Sequence, residues 1–514
     1  MAEQRTMDGW DGPDGWDGPD EPGTETSARR RPALRRLLIA LLASALVVAS
    51  AVATAGSSQA ELPLIAVPRA TCAAGDPVET SLQGRVPKAD HTSGRAREGY
   101  RCNTVEVGRH GKRSVLGSGG YKVQRYTDAS GRTCAYYDSA LMVGLNALGL
   151  LTGGAGLGVV VLDMTNPAKP VKTANLVSPA MLQPHESLLV NQERGLLVAV
   201  MGTLATAPGI LDVYDVSQDC RKPKLQSSTL SGVLGHESGF APDGQTFWTA
   251  GAVGFTLTAV DLADPRRPKV LRTKGGVVYH GLRLSDDGRT MYAANIGTPS
   301  GRDAKLLDGA GLDILDVSDI QDRRPDPQVR TLSRLTWEES SIPQVAEPFT
   351  RDGRQYVLEV DEFSDLFGDL RQFNQPRSPV GAARIIDVTD PREPEVVSNI
   401  RLEVHDPAVR ADLTGDPGAS SIVRSYTGHY CSLPTRTDPR IAGCSMIGSG
   451  LRLFDISDVR RPREVGYFNQ PGPDGASALS QPAWDVERRQ VWYTDTDEGF
   501  FVVGLRGPAA GLLP

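Results

Sequence analysis

The chain has 514 residues, with 55 Lys and Arg against 62 Asp and Glu and a formal net charge of -7. No basic cluster occurs after residue 60, which excludes a nucleic-acid-binding face built on concentrated positive charge. The 55 Gly and 36 Pro beside 39% hydrophobic residues exclude a fold of long helices and fit many short strands joined by tight turns.

Residues 1–34 are polar and carry the tandem Asp8-Gly9-Trp10-Asp11-Gly12-Pro13 and Asp14-Gly15-Trp16-Asp17-Gly18-Pro19. Nothing there can bury a core, so they read as a disordered cytoplasmic leader. Arg29-Arg30-Arg31 and Arg35-Arg36 then precede an uncharged apolar run from Leu37 to Gly56. Residues 35–57 therefore read as a signal peptide or a signal-anchor helix, long enough to span a bilayer. Basic residues ahead of it place the remainder outside the cytoplasm. Small residues at Ala53-Thr54-Ala55 and Ser58-Gln59-Ala60 suit cleavage, whereas the long leader suits an uncleaved anchor. The localisation is thus the cell membrane, with the bulk of the chain extracytoplasmic, or secretion.

Residues 58–100 read as a linker and N-terminal extension. Six cysteines, at 72, 102, 134, 220, 431 and 444, form an even set without a Cys-x-x-Cys. In an exported chain this implies disulfides, with Cys431 and Cys444 close enough in sequence to face each other across one hairpin. Buried thiols are the alternative.

From 101 to 507 a unit repeats. Six apolar strands end in an aspartate and a polar turn, at Asp163, Asp215, Asp261, Asp316, Asp387 and Asp455. Upstream of several lies a strand, Asp-Gly turn and strand, clearest from His280 through Asp287-Gly288 to Asn295. Asp-Gly between apolar runs is a hairpin signal. With a strand after each Pro turn, as in Glu395–Ile400, the unit holds four antiparallel strands, the content of a propeller blade. The count predicts an all-β propeller of seven blades. The last has three strands of its own, Ala483–Asp485, Val491–Asp495 and Phe500–Leu505, so its fourth is expected from the N-terminal side at Asn103–Val107, closing the ring.

Leu315-Asp316-Val317-Ser318-Asp319, Ile386-Asp387-Val388-Thr389-Asp390-Pro391 and Phe454-Asp455-Ile456-Ser457-Asp458 resemble the LVIVD repeat of exported bacterial propeller proteins. The resemblance implies the propeller fold and an exported location, and it names no activity.

The repeat supplies a register. His185, His236, His280 and His429 fall at or near the start of an innermost strand, beside the channel, where four imidazoles would ring one mouth. Imidazoles converging from separate blades could hold zinc or copper without a local motif; the alternative is a set of structural hydrogen-bonding residues that tie blade to blade. The second strand returns to the same face, which adds Asn295, Glu359, Asp361, Asp495 and Asp497 as ligand candidates. Glu186 and Glu237 each follow a histidine and are expected on the opposite side of the strand. The repeated aspartates read as turn-capping groups. Two insertions, 363–376 and 403–426, are candidates for a cap over the mouth and for plain surface, the second carrying His405 and Asp406. No nucleophile elbow, phosphate loop, dinucleotide fingerprint or His-Glu-x-x-His is present to name a catalytic residue.

Three functions follow. One is a binding module at the cell envelope for an extracellular protein, glycan or small ligand, with no nucleic-acid partner and with membrane contact through the apolar segment if uncleaved. Another is a zinc- or copper-dependent enzyme at the channel mouth, and the third is a chiefly structural envelope protein.

Overall fold

The computed structural model describes residues 62–514, except 112–118, 140–156, 202–208, 231–234, 252–254, 303–304, 338, 340, 364–379, 420–424, 473–477 and 497. The leader and the apolar segment lie outside the described residues. Among the described residues no helix is long and apolar enough to cross a membrane.

The sheets are seven antiparallel propeller blades, each ordered from an innermost strand outward. The innermost strands are Val123–Thr127, Leu189–Asn191, Glu237–Phe240, Tyr279–Leu284, Ile342–Arg351, Tyr430–Ser432 and Ala483–Asp485. The aspartate-ended segments form the third strands: Val159–Asp163, Ile210–Asp215, Thr256–Asp261, Gly311–Asp316, Ala383–Asp387 and Leu451–Asp455. Each of these aspartates accepts the backbone N–H two residues on, at 2.8 to 3.1 Å. Their carboxylates are therefore spent on turns, the outcome that Asp followed by a polar bend favours. Second and third strands are buried on both faces, and apolar side chains interlock between neighbours. Leu196, Val198, Val200, Leu211 and Val213 of the second blade, for example, pack on Phe247, Val260 and Leu262 of the third.

Ring closure is as the strand count required. Thr104–His110 pairs with Gly499–Leu505 as the outermost strand of the seventh blade. The preceding segment, Tyr100–Cys102, adds an unanticipated fifth strand to the sixth blade, against Arg463–Asn469. Asn103 between them has φ of 54°, a left-handed turn that lets the chain step from one blade to the next. Its amide side chain donates to Thr71 and Val465 carbonyls. A hairpin of Thr298–Arg302 and Lys305–Asp308 is likewise inserted in the fourth blade.

All six cysteines are paired, Cys72–Cys102, Cys134–Cys220 and Cys431–Cys444. The last joins directly opposed residues of one hairpin. The buried-thiol alternative is excluded, and the disulfides indicate an oxidising, extracytoplasmic compartment. The 403–426 insertion proves to be a dock. Its Glu403 pairs with Arg69, Asp416 with Arg85, and the Tyr426 hydroxyl with the Val86 backbone. His405 is buried and accepts the Leu402 N–H at 3.2 Å. This is neither idle surface nor part of the channel mouth.

Cys134–Cys220 links the first two blades across 86 residues. Replacing both cysteines by Ala is expected to cost about 2–5 kcal/mol, read as a lower midpoint in chemical denaturation at unchanged strand content by circular dichroism.

Candidate metal centre

The four register histidines come from the second, third, fourth and sixth blades, and the structure brings them together. Ring centroids of His185 and His236 are 4.4 Å apart, and those of His236 and His280 are 4.6 Å apart. The Nε2 atoms of His236 and His280 are 2.7 Å apart. Tyr121 covers the remaining gap, 4.4 Å from the His185 ring and 5.7 Å from that of His429. Phe363, the only described residue of the first insertion, stacks on His429 at 5.5 Å; the rest of the anticipated cap lies outside the described residues.

Two carboxylates join this group, and neither was among the sequence-derived ligands. Glu186 Oε2 lies 3.1 Å from His236 Nε2 and 3.4 Å from His280 Nε2. Its Oε1 lies 3.5 Å from His429 Nε2. The expectation that Glu186 would face away rested on strand alternation, but the innermost strand of its blade begins only at Leu189. His185 before it has φ of 49°, a left-handed conformation that breaks the alternation. In the third blade the alternation holds: Glu237 faces the channel interior, bonded to Lys122 and Arg283.

The second newcomer is Glu362, 3.5 Å from His280 Nε2 through Oε1 and 3.0 Å from His429 Nε2 through Oε2. It ends the second strand of the fifth blade, Arg354–Glu362. Glu359 and Asp361 have the opposite parity on that strand and do not join the cluster. They pair instead with buried Arg384, whose guanidinium lies 4.0 Å from the Trp337 ring. Burial, then the Asp361 charge, pushes the Glu359 carboxyl well up. Asp495 accepts the Glu498 N–H at 3.1 Å within its own hairpin. Asn295 donates to Asp313 at 3.1 Å. Asp497 lies outside the described residues. Parity at the last strand residue is the signal that would have selected Glu362.

The outer ring nitrogens orient the inner ones. His280 Nδ1 lies 3.2 Å from the Pro343 carbonyl, and His429 Nδ1 bonds the Leu479 carbonyl. Each tie reaches the next blade, as the structural alternative foresaw. Because a carbonyl only accepts, Nδ1 carries a proton in both, which leaves each Nε2 to face the carboxylates and, once deprotonated, to present its lone pair inward, the second-sphere arrangement of metal-bound imidazole. His429 Nε2 and Glu186 Oε2 are buried, His429 Nε2 between Glu362 Oε2 at 3.0 Å and Glu186 Oε1 at 3.5 Å, and Glu186 Oε2 at 3.1 Å from His236 Nε2. They point at a shared space.

Charge balance without an ion depends on protons. Burial lowers His185 and His280 to about 3. Burial also disfavours charge on His429, but hydrogen bonds to Glu186 and Glu362 lift it to about 9. Burial raises Glu362 to about 7, against the opposing pull of His429. Glu186 is pushed up by burial and drawn well below the ordinary carboxylate range by His236 and His280.

Below this layer the channel is filled by Lys122, Glu237, Arg283, Glu347, Gln481 and Tyr430, joined by mutual hydrogen bonds. Further along the same innermost strands lies a cavity of about 490 Å³, lined by Arg125, Arg283, Glu347, Arg436 and Trp484 among others.

Solved structures supply the comparison. A protein provisionally named 6-phosphogluconolactonase from Bacteroides uniformis aligns over 71% of this chain and 92% of its own, at 14% identity and a TM-score of 0.50. The likeness is one of fold. The periplasmic gluconolactonase of Pseudomonas aeruginosa covers 70% of this chain and 90% of its own at 14% identity, with a TM-score of 0.45. Hydrazine synthase of Kuenenia stuttgartiensis covers 77% and 97% at 13% identity, with a TM-score of 0.47. No protein-family model matches the chain, and no curated protein does.

Two outcomes follow from the separate roles of these groups. His429 is raised in the folded protein above its unfolded value of about 6.5, so its contribution to stability is full below about 6.5 and is lost as pH rises through about 9. In chelator-treated protein the thermal midpoint should therefore fall across that window, and His429→Gln should flatten that fall. Glu359→Ala, which removes one partner of buried Arg384 and leaves Asp361 as the other, should cost about 1–3 kcal/mol in chemical denaturation. Its metal content by mass spectrometry should equal that of the parent protein.

Proposed function

We propose that this protein is an exported metalloenzyme whose channel mouth binds a divalent transition metal through His185, His236, His280, His429, Glu186 and Glu362. The observation that carries the reading is the convergence of the His236, His280 and His429 Nε2 atoms and the oxygens of two carboxylates at separations of 2.7 to 3.5 Å. An ion about 2.1 Å from each donor would hold neighbouring donors about 3.0 to 3.4 Å apart. Imidazole and carboxylate without thiolate suit zinc, copper(II), iron(II) or manganese(II). Two carboxylates match the charge of one divalent ion, so the buried layer becomes neutral when it is loaded. His185 is the partly exposed member and offers the approach for substrate or water, which the metal would polarise as a Lewis acid.

We also read the repeats as the LVIVD type, on the aspartate-ended third strands quoted above. With the disulfides, this supports an extracytoplasmic setting. The binding-platform reading draws on the separate cavity of about 490 Å³, whose size suits a small polar ligand.

The test is metal analysis of protein purified without a His tag. About one or more equivalents of metal per chain, lost in the His236→Ala, His280→Ala double variant while disulfides and strand content persist, is the expected result. A metal-free parent protein that fails to take up zinc, copper, iron or manganese on titration would overturn the enzyme reading and leave the platform.

A further inference from the structure

The donor atoms at the mouth fall into two sets, and the same two carboxylates serve both. On one side, His236 Nε2 and His280 Nε2 stand 2.7 Å apart. Glu186 Oε2 lies 3.1 and 3.4 Å from them, and Glu362 Oε1 is 3.5 Å from His280 Nε2. His185 belongs to this side, since its donor, that of His236 and an oxygen of Glu186 all lie within 4.8 Å of one another. On the other side stands His429 Nε2, with the second oxygen of each carboxylate, Glu186 Oε1 at 3.5 Å and Glu362 Oε2 at 3.0 Å.

Resting on the metal reading above, we propose that the mouth holds two divalent ions bridged by Glu186 and Glu362. A single ion would use one oxygen of each carboxylate, or chelate both, and would leave no reason for each to direct its two oxygens at different imidazoles. A carboxylate that spans two ions does this as a matter of course, and paired catalytic ions stand about 3.5–4 Å apart.

The two positions differ in chemistry. The first has three imidazoles and two oxygens, the second one imidazole and two oxygens. Affinity for late first-row metals grows with the nitrogen share of the donor set, so the sites fill in order, the imidazole-rich one first. Glu237 cannot serve as a further ligand, because Lys122, Arg283 and Tyr430 occupy its oxygens. Two divalent ions against two carboxylates leave an excess of two positive charges in a buried layer. The loaded centre therefore attracts hydroxide and anionic substrate groups, whereas a single-ion centre is already neutral.

The experiment is a titration of metal-stripped, untagged protein with Mn²⁺, read by bound equivalents after gel filtration and by electron paramagnetic resonance. Two equivalents are expected, with exchange-coupled manganese signals at full loading. Glu362→Gln should keep the first equivalent and weaken the second by more than tenfold. One equivalent with an uncoupled six-line signal would overturn the two-ion proposal and leave the metal-centre reading standing. No bound metal would overturn both. If Glu362→Gln fails to fold, the stoichiometry and coupling of the parent protein decide alone.

Discussion

Closure of the ring is the constraint on which the rest depends. Seven sheets arranged about a channel expose two raw edges unless the last is completed, and here Thr104–His110 completes it against Gly499–Leu505. The join is reinforced on both sides. Arg506 donates to Asp76 and to the Thr104 carbonyl, and Cys72–Cys102 ties the incoming strand to the extension before it. Between the first and seventh blades, Lys122 bridges Gln481 along the channel wall. Only with the circle closed do residues separated by as many as 244 positions, His185 and His429, face the same space.

The channel is then a stack of compensated charge. Several buried ions are held by opposite charges, as low dielectric demands. Lys122 and Arg283 meet Glu237, Arg384 meets Glu359 and Asp361, and Arg452 meets Glu79 and Glu464. The mouth layer differs. Two carboxylates there face four imidazoles and no guanidinium or ammonium group, so neutrality requires either protons or metal. Acids that meet a guanidinium or ammonium group are thereby separated from acids that meet only imidazoles.

The histidine positions were legible because register is a repeating quantity. His236 and His280 each sit seven residues before their turn aspartates, Asp243 and Asp287, and equivalent positions of successive blades point at the same axis. The carboxylates were not legible in the same way. Glu362 differs from the nominated Asp361 by one residue, and alternation along Arg354–Glu362 turns the two to opposite sides. Glu186 escaped because a left-handed residue, His185, reverses the direction a simple strand would give.

Sequence alone determined the repeat, hence the blade, its four strands, the closing strand and the oxidised cysteines, since each follows from local patterns of apolar alternation, turn chemistry and parity of count. The turn aspartates also belong to that level, because their partners lie two residues away. Tertiary structure decided which acids meet the histidines, which meet arginines, and that residues 403–426 dock the N-terminal extension. Those outcomes depend on side-chain direction at strand ends and on contacts between distant segments, where one residue of register or one positive φ exchanges a histidine neighbour for a salt bridge.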